Sequence, residues 1–210
     1  MDSRQLKQLY IENLRSKSGL EQHRPYLGMS GISQCPKLLY NQFTNGRGYQ
    51  SLQDHWNCRE GYKEQADVLE MLGGINPRGV EVVADWDARY MGHTDWESPD
   101  GDLVEIKSVY WDKFMGIVER RRADRPHYEQ VQAYLKHGGW KLAHICYKAR
   151  DVPKEQWKGE TIATCGGIPV WIVSVGLNRE VSDRLDTKAR MILGAIDRGV
   201  APDCVCGRCR

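Results

Sequence analysis

Apolar residues recur at helical spacing over residues 2–17, where Leu6, Leu9, Tyr10, Ile11 and Leu14 share a face and Gly19 follows as a stop. The pattern predicts a short helix over 36–43, a turn at Gly46 and Gly48, and a longer helix over 52–72 closed by Gly73 and Gly74. The period then changes. Val80, Val82 and Val83 predict a strand, residues 90–96 a second, and Ser98-Pro99-Asp100-Gly101 a turn. Residues 103–109 (LVEIKSV) alternate and predict a third strand. Two helices are expected at 112–122 and 126–137, the second opened by Pro126 and closed by Gly138 and Gly139. Strands are expected at 141–148 and 170–175, separated by a polar, Gly-rich stretch, and Asn178 can cap a last helix reaching about 197. This order predicts an α/β protein with a mixed central β-sheet flanked by helices.

Length adds that 1–210 suits a single domain with enough chain for a core without disulfides. It divides into an N-terminal helical segment (1–50), a core (51–198) and a Cys-rich tail (199–210). No apolar run approaches membrane-spanning length and the N-terminus has no secretory pattern. No membrane partner is therefore expected, and a cytoplasmic location is the default (the host's cytoplasm for a phage-encoded chain). The net charge of +2 neither requires nor excludes nucleic acid, so charge distribution matters more. The densest basic run is Arg120, Arg121, Arg122 and Arg125. Seven cysteines, an odd number in a chain expected to keep its thiols reduced, point to metal ligation rather than disulfides.

The chemistry concentrates around the turn at 98–101. Asp95 sits on the incoming strand of the expected hairpin, and Glu105 and Lys107 sit two apart on the outgoing strand, sharing a face. Two carboxylates beside a lysine suit a hard divalent cation such as Mg²⁺ or Mn²⁺. Such a set can activate a water and stabilise charge on a phosphate oxygen. A Glu-X-Lys tripeptide alone is common on solvated strand faces; here Val104 and Ile106 make the strand half-buried. On the next helix His127, Gln130 and Tyr134 form one polar stripe at spacings of three and four.

Taken together, GHTDW (92–96), LVEIKS (103–108) and the Gln130-X-X-X-Tyr134 helix resemble the RecB-like branch of the PD-(D/E)XK nuclease superfamily. The resemblance implies a restriction-endonuclease-like core. It implies hydrolysis of DNA phosphodiester bonds, exonucleolytic and directed to single strands or free ends. It makes Asp95 and Glu105 metal ligands, with the Ile106 backbone carbonyl as a further one, and Lys107 the catalytic lysine. Gln130 and Tyr134 would orient DNA and the lysine. The helix upstream of the hairpin would add a ligand, for which Glu64 is the candidate. Arg120, Arg121, Arg122, Arg125 and His127, clustered just before Gln130, would contact DNA.

Cys204, Cys206 and Cys209 lie within six positions, and Cys35-Pro36-Lys37 offers a fourth thiol far upstream. This arrangement resembles the CRISPR-associated iron–sulfur exonucleases and AddB-type nuclease domains. It implies a 4Fe-4S cluster joining the two ends of the chain, with Zn²⁺ as the alternative centre. Cys146 reads as a buried core residue. Two other readings are a DNA-binding or assembly subunit of a CRISPR-adaptation or recombination complex, and a zinc-stapled phage endonuclease.

Overall fold

The computed structural model describes residues 3–18, 24–46, 50–73, 79–158 and 168–207. The elements are α1 (Ser3–Ser18), β1 (Leu27–Gly28), α2 (Pro36–Asn45), α3 (Leu52–Met71), β2 (Glu81–Ala84), β3 (Asp87–His93), β4 (Trp96–Glu97), β5 (Leu103–Tyr110), α4 (Trp111–Arg120), α5 (Arg125–Gly138), β6 (Leu142–Arg150), β7 (Val170–Gly176) and α6 (Arg179–Arg198). Local chemistry explains several ends. Ser51 and Asp54 form a reciprocal capping box that starts α3. Pro36 opens α2, and the Asn178 side chain accepts from the Val181 N–H at 3.2 Å to start α6. Gly139, at φ 78°, ends α5 in the left-handed region that favours glycine.

The protein is a mixed α/β structure, but its strands form two sheets among the described residues rather than the one expected. One has the order β1-β3-β2 and the other β4-β5-β6-β7. The division falls at Thr94 and Asp95, where the strand expected over 90–96 breaks into β3 and β4. The reason is local. The Thr94 N–H and hydroxyl bond to Val80, and the Asp95 carboxylate takes the Ile106 N–H at 2.6 Å in place of a backbone partner. β5 and β6 run parallel, with Glu105 beside Ile145 and Lys107 beside Tyr147. Such a pair needs a crossover, and α4 and α5 supply it.

Strand alternation assigns the two faces of the larger sheet. Leu103 and Val109 of β5 and Ala143, Ile145 and Tyr147 of β6 enter the main core with Phe114, Ile117, Val131, Tyr134, Leu135, Leu185 and Ile192. Glu105 and Lys107 belong to this same row. On the opposite face Val104, Ile106 and Cys146 meet Val68 and Leu69 of α3. The cysteine is a core residue there, and burial pushes its thiol up to about 11.

Polar contacts pin α5 to α6. The Gln132 amide bridges the Gly176 carbonyl (2.9 Å) and the Asn178 N–H (2.6 Å). Lys136 pairs with Asp183 at 2.6 Å and with Asp186 at 2.7 Å, and His137 Nε2 donates to Asp186 at 2.8 Å. Burial by itself would raise the Asp186 pKa; the His137 and Lys136 bonds outweigh it and hold the carboxyl below its usual range. A carboxyl lowered on folding stabilises the fold above its ordinary pKa, and that contribution is lost as pH falls through the folded value. Thermal unfolding of wild type should therefore lose stability below about pH 4, and Asp186→Asn should be less stable at neutral pH with a flatter acid limb.

Candidate active site

Glu105 is 1% exposed, yet it is a carboxylate in a row of core side chains. Its Oε1 accepts from Lys107 Nζ at 2.6 Å and from Gln130 Nε2 at 2.6 Å, while its Oε2 is buried with no hydrogen-bond partner. Burial pushes the Glu105 carboxyl up to about 7; Lys107 opposes that rise and Asp95 adds to it. Asp95 approaches from the bend before β4. Its Oδ2 takes the Ile106 N–H, and its Oδ1 accepts from Gln65 Nε2 at 2.8 Å. Burial raises its pKa against the opposing effect of Lys107. For Lys107 burial alone would lower the pKa, but Glu105 and Asp95 outweigh it and raise it. The structure thus gathers Asp95, Glu105 and Lys107 as one coupled group.

Gln130 and Tyr134 join the same network. The Gln130 amide also donates to the Tyr134 oxygen at 3.1 Å, and the Tyr134 hydroxyl donates to the His93 carbonyl at 3.0 Å. One turn of α5 therefore connects the end of β3 to Glu105 on β5. The close approach needs Gly92, since a Cβ there would lie 2.6 Å from Tyr134 Cε1 and 2.9 Å from its hydroxyl.

The upstream ligand expected at Glu64 is not brought to this group. Glu64 points to Lys148 on β6 and pairs with it at 2.5 Å. The neighbouring Gln65 reaches Asp95 instead. Its signal was helical spacing, because 65, 68 and 69 fall on the face of α3 that packs on β5. His127 lies close enough for Lys107 to affect its charge. Burial first, then Lys107 and Lys113, push it down to about 3, so the imidazole is neutral and is no cationic phosphate contact. The Tyr147 hydroxyl accepts the Asp124 N–H at 3.1 Å and sits 3.2 Å from His127 Nδ1. Arg120, Arg121, Arg122 and Arg125 line a cavity of about 750 Å³ with Tyr128 and Ser174. Arg125 is also tied to the buried Glu129 at 2.9 Å.

A second cluster gathers the distant cysteines. Cys35, just before α2, meets Cys204 and Cys206 of the tail, with the three sulfurs all within 4.8 Å of one another and the last two 3.6 Å apart. The expected fourth member, Cys209, lies outside the described residues, so the structure brings together three of the four.

No protein-family model matches the chain, and no curated protein matches it. Solved structures do match in fold. An alkaline exonuclease, LHK-Exo from Laribacter hongkongensis, gives a TM-score of 0.62 at 11% identity over 87% of this chain and 93% of that one. LHK-Exo in complex with dAMP gives 0.63 at 11% identity over the same shares. A phage-related exonuclease from Haemophilus somnus 129PT gives 0.57 at 11% identity over 84% of this chain and 95% of that one. The chain has the fold of these exonucleases.

Gly92→Ala should cost about 1–3 kcal/mol in urea denaturation, because the Tyr134 ring has nowhere to retreat. The double variant with Tyr134→Leu should lose less than the sum of the two single losses.

Proposed function

We propose that the protein is a metal-dependent deoxyribonuclease of the PD-(D/E)XK type, acting as an exonuclease on single-stranded DNA or DNA ends. The observation that carries this reading is the buried group of Asp95, Glu105 and Lys107, with Glu105 Oε2 left without a partner. The shared fold with an alkaline exonuclease, one of whose structures holds dAMP, and with a phage-related exonuclease supports it.

The residues fit a divalent cation. A buried carboxylate and a half-buried one against one ammonium leave an uncompensated negative charge whenever both are ionised, and a buried charge needs a counterion. Asp95 and Glu105 are hard oxygen donors of the kind Mg²⁺ or Mn²⁺ takes. The Ile106 N–H faces Asp95, and the N–H and C=O of one strand residue point to the same edge, so the Ile106 carbonyl is a further oxygen on that side. Such a cation supplies Lewis acidity to the scissile phosphate and to the attacking water.

The chain's own groups do the rest. Gln130 and Lys107 occupy Glu105 Oε1, so Oε2 is the oxygen that would hold a divalent cation. Lys107 holds a positive charge where negative charge builds on the phosphate, and it orients the water. Tyr134, fixed on the His93 carbonyl, keeps Gln130 in place. Gln65 holds the Asp95 carboxylate. Arg120, Arg121, Arg122 and Arg125 take the DNA backbone, with His127 beside them as a further polar contact.

The Cys35, Cys204 and Cys206 group, completed by Cys209, is a structural metal centre in this reading. One observation favours zinc over a 4Fe-4S cluster. Four thiolates on one zinc at about 2.3 Å form a tetrahedron with edges of about 3.8 Å, close to the 3.6 Å between Cys204 and Cys206. A cluster spreads its thiolates over separate iron atoms and holds the sulfurs farther apart.

End-labelled single-stranded DNA should be degraded in Mg²⁺ or Mn²⁺, with circular single strands left intact. Chelator should stop the reaction, and Lys107→Ala should slow it by about 10²-fold or more. Undiminished cleavage by that variant would contradict the reading. Elemental analysis should find about one zinc per chain with no visible iron–sulfur absorption, and Cys35→Ser should lose the zinc and lower the Tm. A brown, iron-loaded protein would overturn the zinc assignment.

A further inference from the structure

A groove of about 720 Å³ opens between α3, the ends of β5 and β6, and the 3-10 helix Lys154–Lys158. Trp56, Tyr110 and Trp157 line it and are 41%, 47% and 54% exposed. Three large rings turned to solvent in one groove mark a binding surface, because a folded chain ordinarily buries them. Tyr110 is held in place. The Arg150 guanidinium lies over its ring at 4.1 Å from the centroid, and its hydroxyl donates to Asn57 Oδ1 at 3.1 Å. Arg150 Nε is buried without a hydrogen-bond partner.

The charge of the lining decides what fits. Glu60, Glu64 and Asp151 face Lys148 and Arg150, and Lys148 is already paired with Glu64 and Asp67. This balance gives the groove no excess of positive charge with which to hold phosphates. Flat rings, amides and carboxylate acceptors suit instead an uncharged aromatic heterocycle with N–H donors, which is a nucleobase.

Position links the groove to the buried group. Tyr110 lies three residues beyond Lys107 on β5, with its side chain on the opposite, α3-facing side of the sheet. Asn57 lies eight residues before Gln65 on α3, about 12 Å at the rise of a helix.

We propose that this groove is a stacking site for an unpaired base of single-stranded DNA, seated among the rings of Trp56, Tyr110 and Trp157 while the strand runs to the Asp95–Glu105–Lys107 group. A paired base has both faces covered by its neighbours and cannot enter, so the groove selects single strands. This inference rests on the nuclease reading.

Binding of a fluorescein-labelled twelve-nucleotide oligothymidylate is read by anisotropy in chelator, where cleavage does not intervene. Trp56→Ala and Trp157→Ala should each weaken binding about fivefold or more, and Trp157→Phe should keep most of the affinity. An oligomer of the same length carrying abasic sites should bind wild type more weakly, and the alanine variants should lose little further on it. A blunt duplex should compete poorly. Unchanged affinity in both folded alanine variants, or equal binding of the abasic oligomer, overturns the groove, even where metal-dependent cleavage persists. Ring-dependent binding by a folded protein that cleaves nothing leaves the groove standing and removes the nuclease reading instead.

Discussion

A carboxylate placed in a packed row of a β-sheet must be satisfied by the groups around it, because it has no water to turn to. Glu105 and Lys107 occupy the row that Leu103 and Val109 continue into the core, and much of the surrounding architecture serves that pair. α5 must come close enough for Gln130 to reach Glu105, which requires Gly92 beneath the Tyr134 ring. α5 must also stay there, which explains the polar contacts of Gln132, Lys136 and His137 to the segment around α6. Asp95 takes a backbone N–H that a neighbouring strand would otherwise occupy, and the sheet edge opens at that point. One oxygen of Glu105 remains unpaired at the end of this chain of contacts.

The two faces of the larger sheet divide the work. The face toward α4 and α5 carries Glu105 and Lys107, and the face toward α3 carries Tyr110 and Lys148 at the rim of the aromatic groove. α3 touches both regions, through Gln65 at Asp95 and through Trp56 and Asn57 in the groove. On the proposed reading, a strand bound along α3 would have the aromatic groove at one end of that helix and the Asp95 carboxylate at the other.

Much of this was legible in residue patterns. The alternation over 103–109 places Glu105 and Lys107 on one face, and the spacing of Gln130 and Tyr134 puts them on one turn, as the structure has them. Asn178 caps α6 as its side chain suggests. The break at Asp95 left no mark in the hydrophobic pattern, because a carboxylate standing in for a strand neighbour alters no apolar position. That Gln65 rather than Glu64 reaches Asp95 left no mark for a similar reason. The two are adjacent polar residues on one helix, and what separates them is Lys148, far along the chain on β6. Tyr110 and Arg150 meet only through the parallel register of β5 and β6, which no local signal encodes. The two-residue strand β1 is too short to show a period. The meeting of Cys35 with Cys204 and Cys206 was legible across the whole chain because close cysteine spacing signals shared ligation regardless of separation.

The account depends on Asp95 and Glu105 holding a divalent cation together. Titration of Mn²⁺ followed by electron paramagnetic resonance tests this without any substrate. Wild type should bind about one ion at a site lost in both Asp95→Asn and Glu105→Gln, with the fold of the variants unchanged. Equal Mn²⁺ binding by wild type and both variants would contradict the account, because the buried carboxylates would then hold no metal.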